Sequence, residues 1–241
     1  MLDNALRLQY LQALGIDVWI PKADSVQPPC AMASGLVQAL QPPTPAIPVA
    51  LAAETEATGW DALETAVAGC TRCGLCNTRK HTVFGTGNRQ ADWLFIGEGP
   101  GQHEDEQGKP FVGNAGQLLT EMIRAIGLSR DAVFITNVVK CRPPGNRDPH
   151  SDEIASCHPY LQQQINLIQP KIIVALGRIA AQKLLKTDAP LAQLRGKPHY
   201  FSGVPLVVVY HPAYLLRTPI DKRKAWQDLQ FAVQLHNSQP T

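Results

Sequence analysis

Trp93-Leu94-Phe95-Ile96-Gly97-Glu98-Gly99-Pro100-Gly101 decides the fold of this chain. Four apolar residues, short enough for one buried strand, run directly into a turn made of glycine and proline. Three runs of the same kind follow, at residues 133–139, 172–176 and 206–209. Helical periodicities lie between and after them, at 116–126, 152–168, 179–185 and 222–235. Alternation of this kind predicts βαβ units. The expected fold is a three-layer α/β/α sandwich around a central four-stranded, mainly parallel sheet. Such sheets bind ligands beyond the carboxyl ends of their strands. Polar or turn-forming residues stand at three of those ends: the Gly97–Gly101 turn, Asn137, and His211.

The turn is not a dinucleotide fingerprint. Pro100 removes an N–H and the G-x-G-x-x-G spacing is absent. Its glycines, Gly99 among them, instead let the backbone approach a ligand without Cβ obstruction. Glu98 and Glu104 flank the turn, either as solvated carboxylates or as groups that orient a water. Phe111, held in Gly108-Lys109-Pro110-Phe111-Val112-Gly113, is either a core plug or a stacking platform. Cys141-Arg142-Pro143-Pro144-Gly145-Asn146-Arg147-Asp148-Pro149 is a stiff loop whose two arginines, Arg142 and Arg147, suit phosphate. His211-Pro212-Ala213-Tyr214-Leu215-Leu216-Arg217 offers an imidazole, two leucines fit for an apolar wedge in a base stack, and an Arg for phosphate.

Cys70-x-x-Cys73 lets two thiolates grip one metal centre, and Cys141 and Cys157 supply the remaining pair. Cys76 extends the first pair to a triple, but the Cys-Pro that would complete a ferredoxin run is replaced by Asn77-Thr78. Cys76 is therefore read as a spare thiol, and Cys30, in a Pro/Ala-rich stretch, as no ligand. Four thiolates serve zinc and iron–sulfur alike, so spacing leaves the metal open. No signal peptide is recognisable at the N-terminus. The expected compartment is reducing and cytoplasmic, where cysteines ligate metals rather than pair as disulfides.

With 241 residues, 44% of them hydrophobic, the chain is long enough for one good core. No apolar run reaches the roughly 20 residues a membrane span needs. The net charge of +2 hides an asymmetry. Residues 1–66 carry Arg7 and Lys22 against seven acids, whereas the remainder carries 20 Lys/Arg against 13 acids. A basic body behind an acidic leader suits a polyanionic partner. Residues 1–22 read as a helical partner-binding segment, with Leu2, Leu6, Tyr10, Leu11 and Leu14 near one face. Residues 23–58, with six prolines between Gln27 and Pro48, read as a linker, and 59–237 as the main folded domain.

From about Cys70 to Leu235 the chain resembles the family 4 uracil-DNA glycosylases, the iron–sulfur branch of their superfamily. The motifs carrying the likeness are Cys70-x-x-Cys73, Val83-Phe84-Gly85-x-Gly87-Asn88, the Gly97–Gly101 turn, Gly108–Gly113, Thr136-Asn137, Lys140-Cys141-Arg142-Pro143-Pro144, Cys157, and His211-Pro212-x-Tyr214-Leu215-Leu216-Arg217. Thr86 departs from the family, which usually has Glu there. The resemblance implies a [4Fe-4S] cluster on Cys70, Cys73, Cys141 and Cys157. It also implies a DNA-repair enzyme that flips uracil out of DNA and hydrolyses its N-glycosidic bond. Phe111 would stack on the base, Gly99 would line the pocket, and the Asn137 amide would read O4 and N3–H. His211 would donate to O2, while Glu98 and Glu104 would place water and stabilise the sugar cation. Arg142, Arg147, Tyr214, Leu215 and Arg217 would contact DNA.

Leu11-Gln12-Ala13-Leu14-Gly15-Ile16-Asp17-Val18-Trp19 separately resembles the N-terminal tail of the psi subunit of the bacterial clamp-loader. That likeness implies a replication partner bound through residues 2–19. The reading is of a monomer with no membrane association. Two rival readings are a catalytically silent adaptor of the same superfamily and a zinc-stabilised nucleic-acid-binding protein.

Overall fold

A computed structural model describes residues 59–239. The expected leader segment (residues 1–22) and the whole of the expected linker (residues 23–58) lie outside the described residues. Within them the chain forms β1 (Thr86–Gly87), β2 (Trp93–Gly97), β3 (Phe134–Asn137), β4 (Ile172–Leu176), β5 (His199–Phe201) and β6 (Val204–Val209). The sheet order is β1-β3-β2-β4-β6-β5. Its central four strands are parallel, with Leu94 beside Phe134 and Ile173, and Ile173 beside Leu206. The expected four-stranded sheet is therefore extended to six. The additions are two short antiparallel edge strands, β1 on β3 and β5 on β6. Neither carries an apolar run of its own, so alternation could not reveal them.

The helices are α1 (Trp60–Ala68), α2 (Gln102–Gln107), α3 (Asn114–Ala125), α4 (Ser151–Ile168), α5 (Arg178–Leu185), α6 (Leu191–Leu194), α7 (Pro212–Arg217) and α8 (Lys222–Asn237). Every residue of β2, β3 and β4 is buried, which explains the unbroken apolar runs of β2 and β4, while β3 buries the polar Thr136 and Asn137 at its end. Alternate side chains feed two separate cores. Leu94, Ile96, Ile173, Leu206 and Val208 pack with α1, α4 and α5 on one face. Phe95, Ile135, Val174, Val207 and Val209 pack with α3, α7 and α8 on the other.

The chain leaves β2 toward one face and β4 toward the other, so the crevice opens where the sheet's winding reverses. Two glycines let the strand ends meet there. A Cβ on Gly97 would collide with Asn137 Oδ1 and the Phe111 ring. Gly177, at φ 90°, leaves β4 in a conformation only glycine adopts readily, and a Cβ there would sit 2.8 Å from His211 Cβ.

Candidate active site

A cleft of about 470 Å³ opens over the carboxyl ends of β2, β3 and β6. It is lined by Glu98, Gly99, Glu104, Phe111, Asn137, Arg147, Tyr214, Arg217 and His211, which the sequence spreads over more than a hundred positions. Asn137 ends β3 almost fully buried, and its Oδ1 has no hydrogen-bond partner. A buried acceptor left open costs stability unless a ligand donor meets it, so this atom marks where a bound N–H belongs.

Phe111 is 7% exposed, and its ring lies 5.7 Å from the His211 imidazole at an interplanar angle of 32°. Its φ of 53° is left-handed, a conformation that costs a bulky residue about 1–2 kcal/mol. Three features hold it there. Arg130 Nη2 donates to the Pro110 and Phe111 carbonyls at 2.8 and 3.1 Å. Glu104 Oε1 accepts from the Val112 and Gly113 amides at 2.9 and 3.2 Å. Gly116 leaves the space that the Phe111 carbonyl occupies. Glu104 thus binds the stacking loop through its carboxylate. Arg130 was missed from sequence because no motif contains it; its partners are carbonyls that only the folded loop presents.

His211 begins α7, and its Nδ1 accepts from the Ala213 amide at 3.2 Å. Burial, with Arg217 nearby, pushes its pKa down to about 4, against a smaller opposing pull from Glu104. The imidazole is therefore neutral at pH 7 with its proton on Nε2, a donor ready for a developing negative charge. Glu98 goes the other way. Burial and the Asp148 carboxylate raise it to about 7, partly countered by Arg178. Its deprotonated fraction thus rises with pH through neutrality.

Two arginines are less free than the loop sequence implies. Arg147 makes a paired contact with Glu153, 2.9 and 2.6 Å, while still lining the cleft. Arg142 Nε donates to Asn146 Oδ1 at 2.8 Å and stands outside the cleft lining. Tyr214 stacks on Tyr210 at 5.0 Å and donates to Asp221 Oδ2 at 2.6 Å. Leu215 is a correction. It is 1% exposed and packs with Leu118, Met122 and Leu229, because α7 turns that face onto α3 and α8. Leu216 and Ile220, 44% and 83% exposed, are the apolar residues that reach solvent nearby. Leu215→Ala should therefore destabilise the fold by about 2–5 kcal/mol, whereas Leu216→Ala should stay within about 0.5 kcal/mol. Thermal melting of the two variants separates a core residue from a surface one.

Behind the loop after β3, Cys70, Cys73, Cys141 and Cys157 line one pocket together with Cys76. Arg79 Nη1 donates to Cys141 Sγ at 3.1 Å and the Lys140 amide to Cys157 Sγ at 3.3 Å. Burial pushes the Cys141 thiol up to about 11 and raises Cys73 and Cys157 as well. Among the described residues, no group of three or more His, Cys, Asp or Glu side chains is placed to hold a single metal ion. The donor set nevertheless fits an iron–sulfur cluster: Cys70, Cys73, Cys141 and Cys157 share one pocket, with N–H donors already aimed at two of their sulfurs.

A parallel-sheet crevice with an aromatic ring, an open amide acceptor and a neutral imidazole donor has the chemistry to hold a flat, polar heterocycle. The family model for the uracil DNA glycosylase superfamily matches residues 84–230. A type-4 uracil-DNA glycosylase of Sulfurisphaera tokodaii is 48% identical over 162 residues, covering 64% of this chain and 74% of that protein. Those of Saccharolobus solfataricus and Archaeoglobus fulgidus are each 44% identical, covering 75% and 64% of this chain and 88% and 81% of theirs. The chain belongs to the uracil DNA glycosylase superfamily, in its type-4 branch.

Proposed function

We propose that this protein excises uracil from DNA by hydrolysing the N-glycosidic bond of an extruded nucleotide. The observation that carries the reading is the buried, unpartnered Asn137 Oδ1, which meets the Phe111 ring at Gly97. Uracil N3–H would supply the missing donor, while the amide N–H₂ would face O4. Cytosine offers an acceptor and a donor in the reverse order and leaves both groups unpaired, which rejects it.

As the bond breaks, negative charge collects on the base and positive charge on the sugar. His211 Nε2–H would donate to O2, and a neutral imidazole supplies that donor without repelling the sugar cation. Glu98, half-buried at the cleft edge, would orient or deprotonate the attacking water. Glu104 acts more modestly than the sequence implied, by fixing the loop that carries Phe111. Excision should accordingly rise with pH through about 7 as Glu98 loses its proton. His211, already neutral, should add no step between about pH 5 and 7. Glu98→Gln should flatten the profile. A step near pH 6.5 that survives this substitution would shift the role to another group.

The four cysteines Cys70, Cys73, Cys141 and Cys157 would hold a [4Fe-4S] cluster that ties the segment after α1 to the loop carrying Arg142 and Arg147. Zinc, the alternative, requires its ligands to converge on one ion. Arg147, Arg217 and Arg142 would contact phosphates around the cleft. The wedge role moves from Leu215 to the exposed Leu216 and Ile220. No helix among the described residues is long and apolar enough to cross a membrane. Residues 2–19 are proposed to bind a replication protein, and the cytoplasm is the proposed site of action.

The test is incubation with a uracil-containing oligonucleotide followed by alkali. Strand scission at the uracil, and none at cytosine or thymine, is expected. An intact oligonucleotide would leave the adaptor reading in place.

A further inference from the structure

Lys140 lies between the cysteine pocket and the base-recognition site. It is 1% exposed, and its Nζ donates to Thr136 Oγ1, to the Asn137 carbonyl at 2.9 Å and to Gln164 Oε1 at 2.6 Å. Gln164 and Thr136 are themselves tied to the Phe84 carbonyl at 2.9 Å each, so the network cannot slide. All three acceptors of the ammonium are neutral. An ammonium buried this deeply is costly unless an anion lies close. The same residue lines the cysteine pocket, and its amide donates to Cys157 Sγ at 3.3 Å. Thiolates carrying a cluster would bring the negative charge that the three neutral oxygens lack.

We propose that Lys140 is a positioning residue with two tasks, serving as the internal counter-charge of the four-thiolate site and holding the Asn137 carbonyl, so that the cluster and base recognition are mechanically coupled. This rests on the uracil-excising reading above. The main-chain carbonyl it grips belongs to the residue whose side-chain oxygen stands open in the cleft. Releasing that carbonyl frees the end of β3 just where Asn137 must meet a base edge to within a few tenths of an ångström.

The experiment uses cluster-bearing protein with Lys140→Met, Asn137→Ala and the double substitution. Lys140→Met should bleach about tenfold faster than wild type under chelator challenge, read from visible absorbance. It should excise uracil at least about tenfold more slowly in single turnover, yet bind abasic-site DNA within about twofold of wild type. In the Asn137→Ala background the same substitution should change excision by less than about twofold, because the group it positions is gone. Gln164→Glu, equal in shape, gives Nζ a competing anion and should reproduce the slower excision if Lys140→Met does not fold. Equal bleaching rates would overturn the counter-charge role. An unchanged excision rate, or losses that combine in full with those of Asn137→Ala, would overturn the positioning role. A wild-type protein that releases no uracil would refute the activity itself, and the bleaching comparison would still judge Lys140.

Discussion

Asn137→Ala and His211→Ala each lower single-turnover release of uracil by at least about tenfold, and His211→Ala by as much as about a hundredfold, while both proteins fold. The expectation follows from where the two groups act. Asn137 is buried at the end of β3 with an open acceptor, so its loss deletes the group that pairs with the base and removes no hydrogen bond within the protein. His211 presents a neutral Nε2–H at the point where charge gathers on the leaving base. Removing one preorganised donor of this kind typically costs about 10²–10³ in rate. The two should differ in selectivity. Asn137→Ala relaxes discrimination between uracil and cytosine, whereas His211→Ala slows the step without changing which base is chosen. Single-turnover rates on paired uracil and cytosine oligonucleotides make the comparison. Full activity in both variants would remove the cleft as the site of chemistry.

Cys141→Ala or Cys157→Ala should give a colourless protein with a markedly lower melting temperature, whereas Cys76→Ala keeps both colour and stability. Cys141, in the loop after β3, and Cys157, on α4, are both buried in the core on that face of the sheet, far apart in sequence from Cys70 and Cys73. A cluster held by all four cross-links those elements, and its binding energy becomes folding energy. Cys76 shares the pocket, but its Sγ donates to the adjacent Asn77 Oδ1 at 3.5 Å, a local contact that joins no distant segments. Visible absorbance near about 400 nm and a melting curve read the outcome. A Cys76→Ala protein that bleaches while Cys141→Ala stays brown would reassign the ligands.

The parallel core and the strand-end site were legible because the buried strands are mostly apolar runs closed by polar or glycine residues. The edge strands β1 and β5 were not, since two- and three-residue strands take their place from neighbours rather than from their own composition. Helix α1 was also overlooked, although Leu63 and Val67 make a core stripe, because nine residues between glycines give a weak periodicity. The misreading of Leu215 has a similar cause. Two adjacent leucines on a one-turn helix look equivalent in sequence, and only the packing of α3 and α8 decides which one is covered. Arg130 lay in no motif, and Lys140 was quoted in one without a role of its own, for a common reason. Both act on backbone carbonyls, whose positions no residue pattern records.

Phe111, Asn137 and His211 are each held by groups already in place: Arg130 on the loop, Lys140 on the Asn137 carbonyl, the Ala213 amide at α7. A receptor so fully assembled has little left to rearrange when substrate arrives, and the work of adaptation passes to the nucleic acid. Turnover should then follow the ease with which each site yields its base: quickest from single strands, slower from U·G mismatches, slowest from a well-stacked U·A pair. Speed across a genome would be set by the mechanics of the double helix.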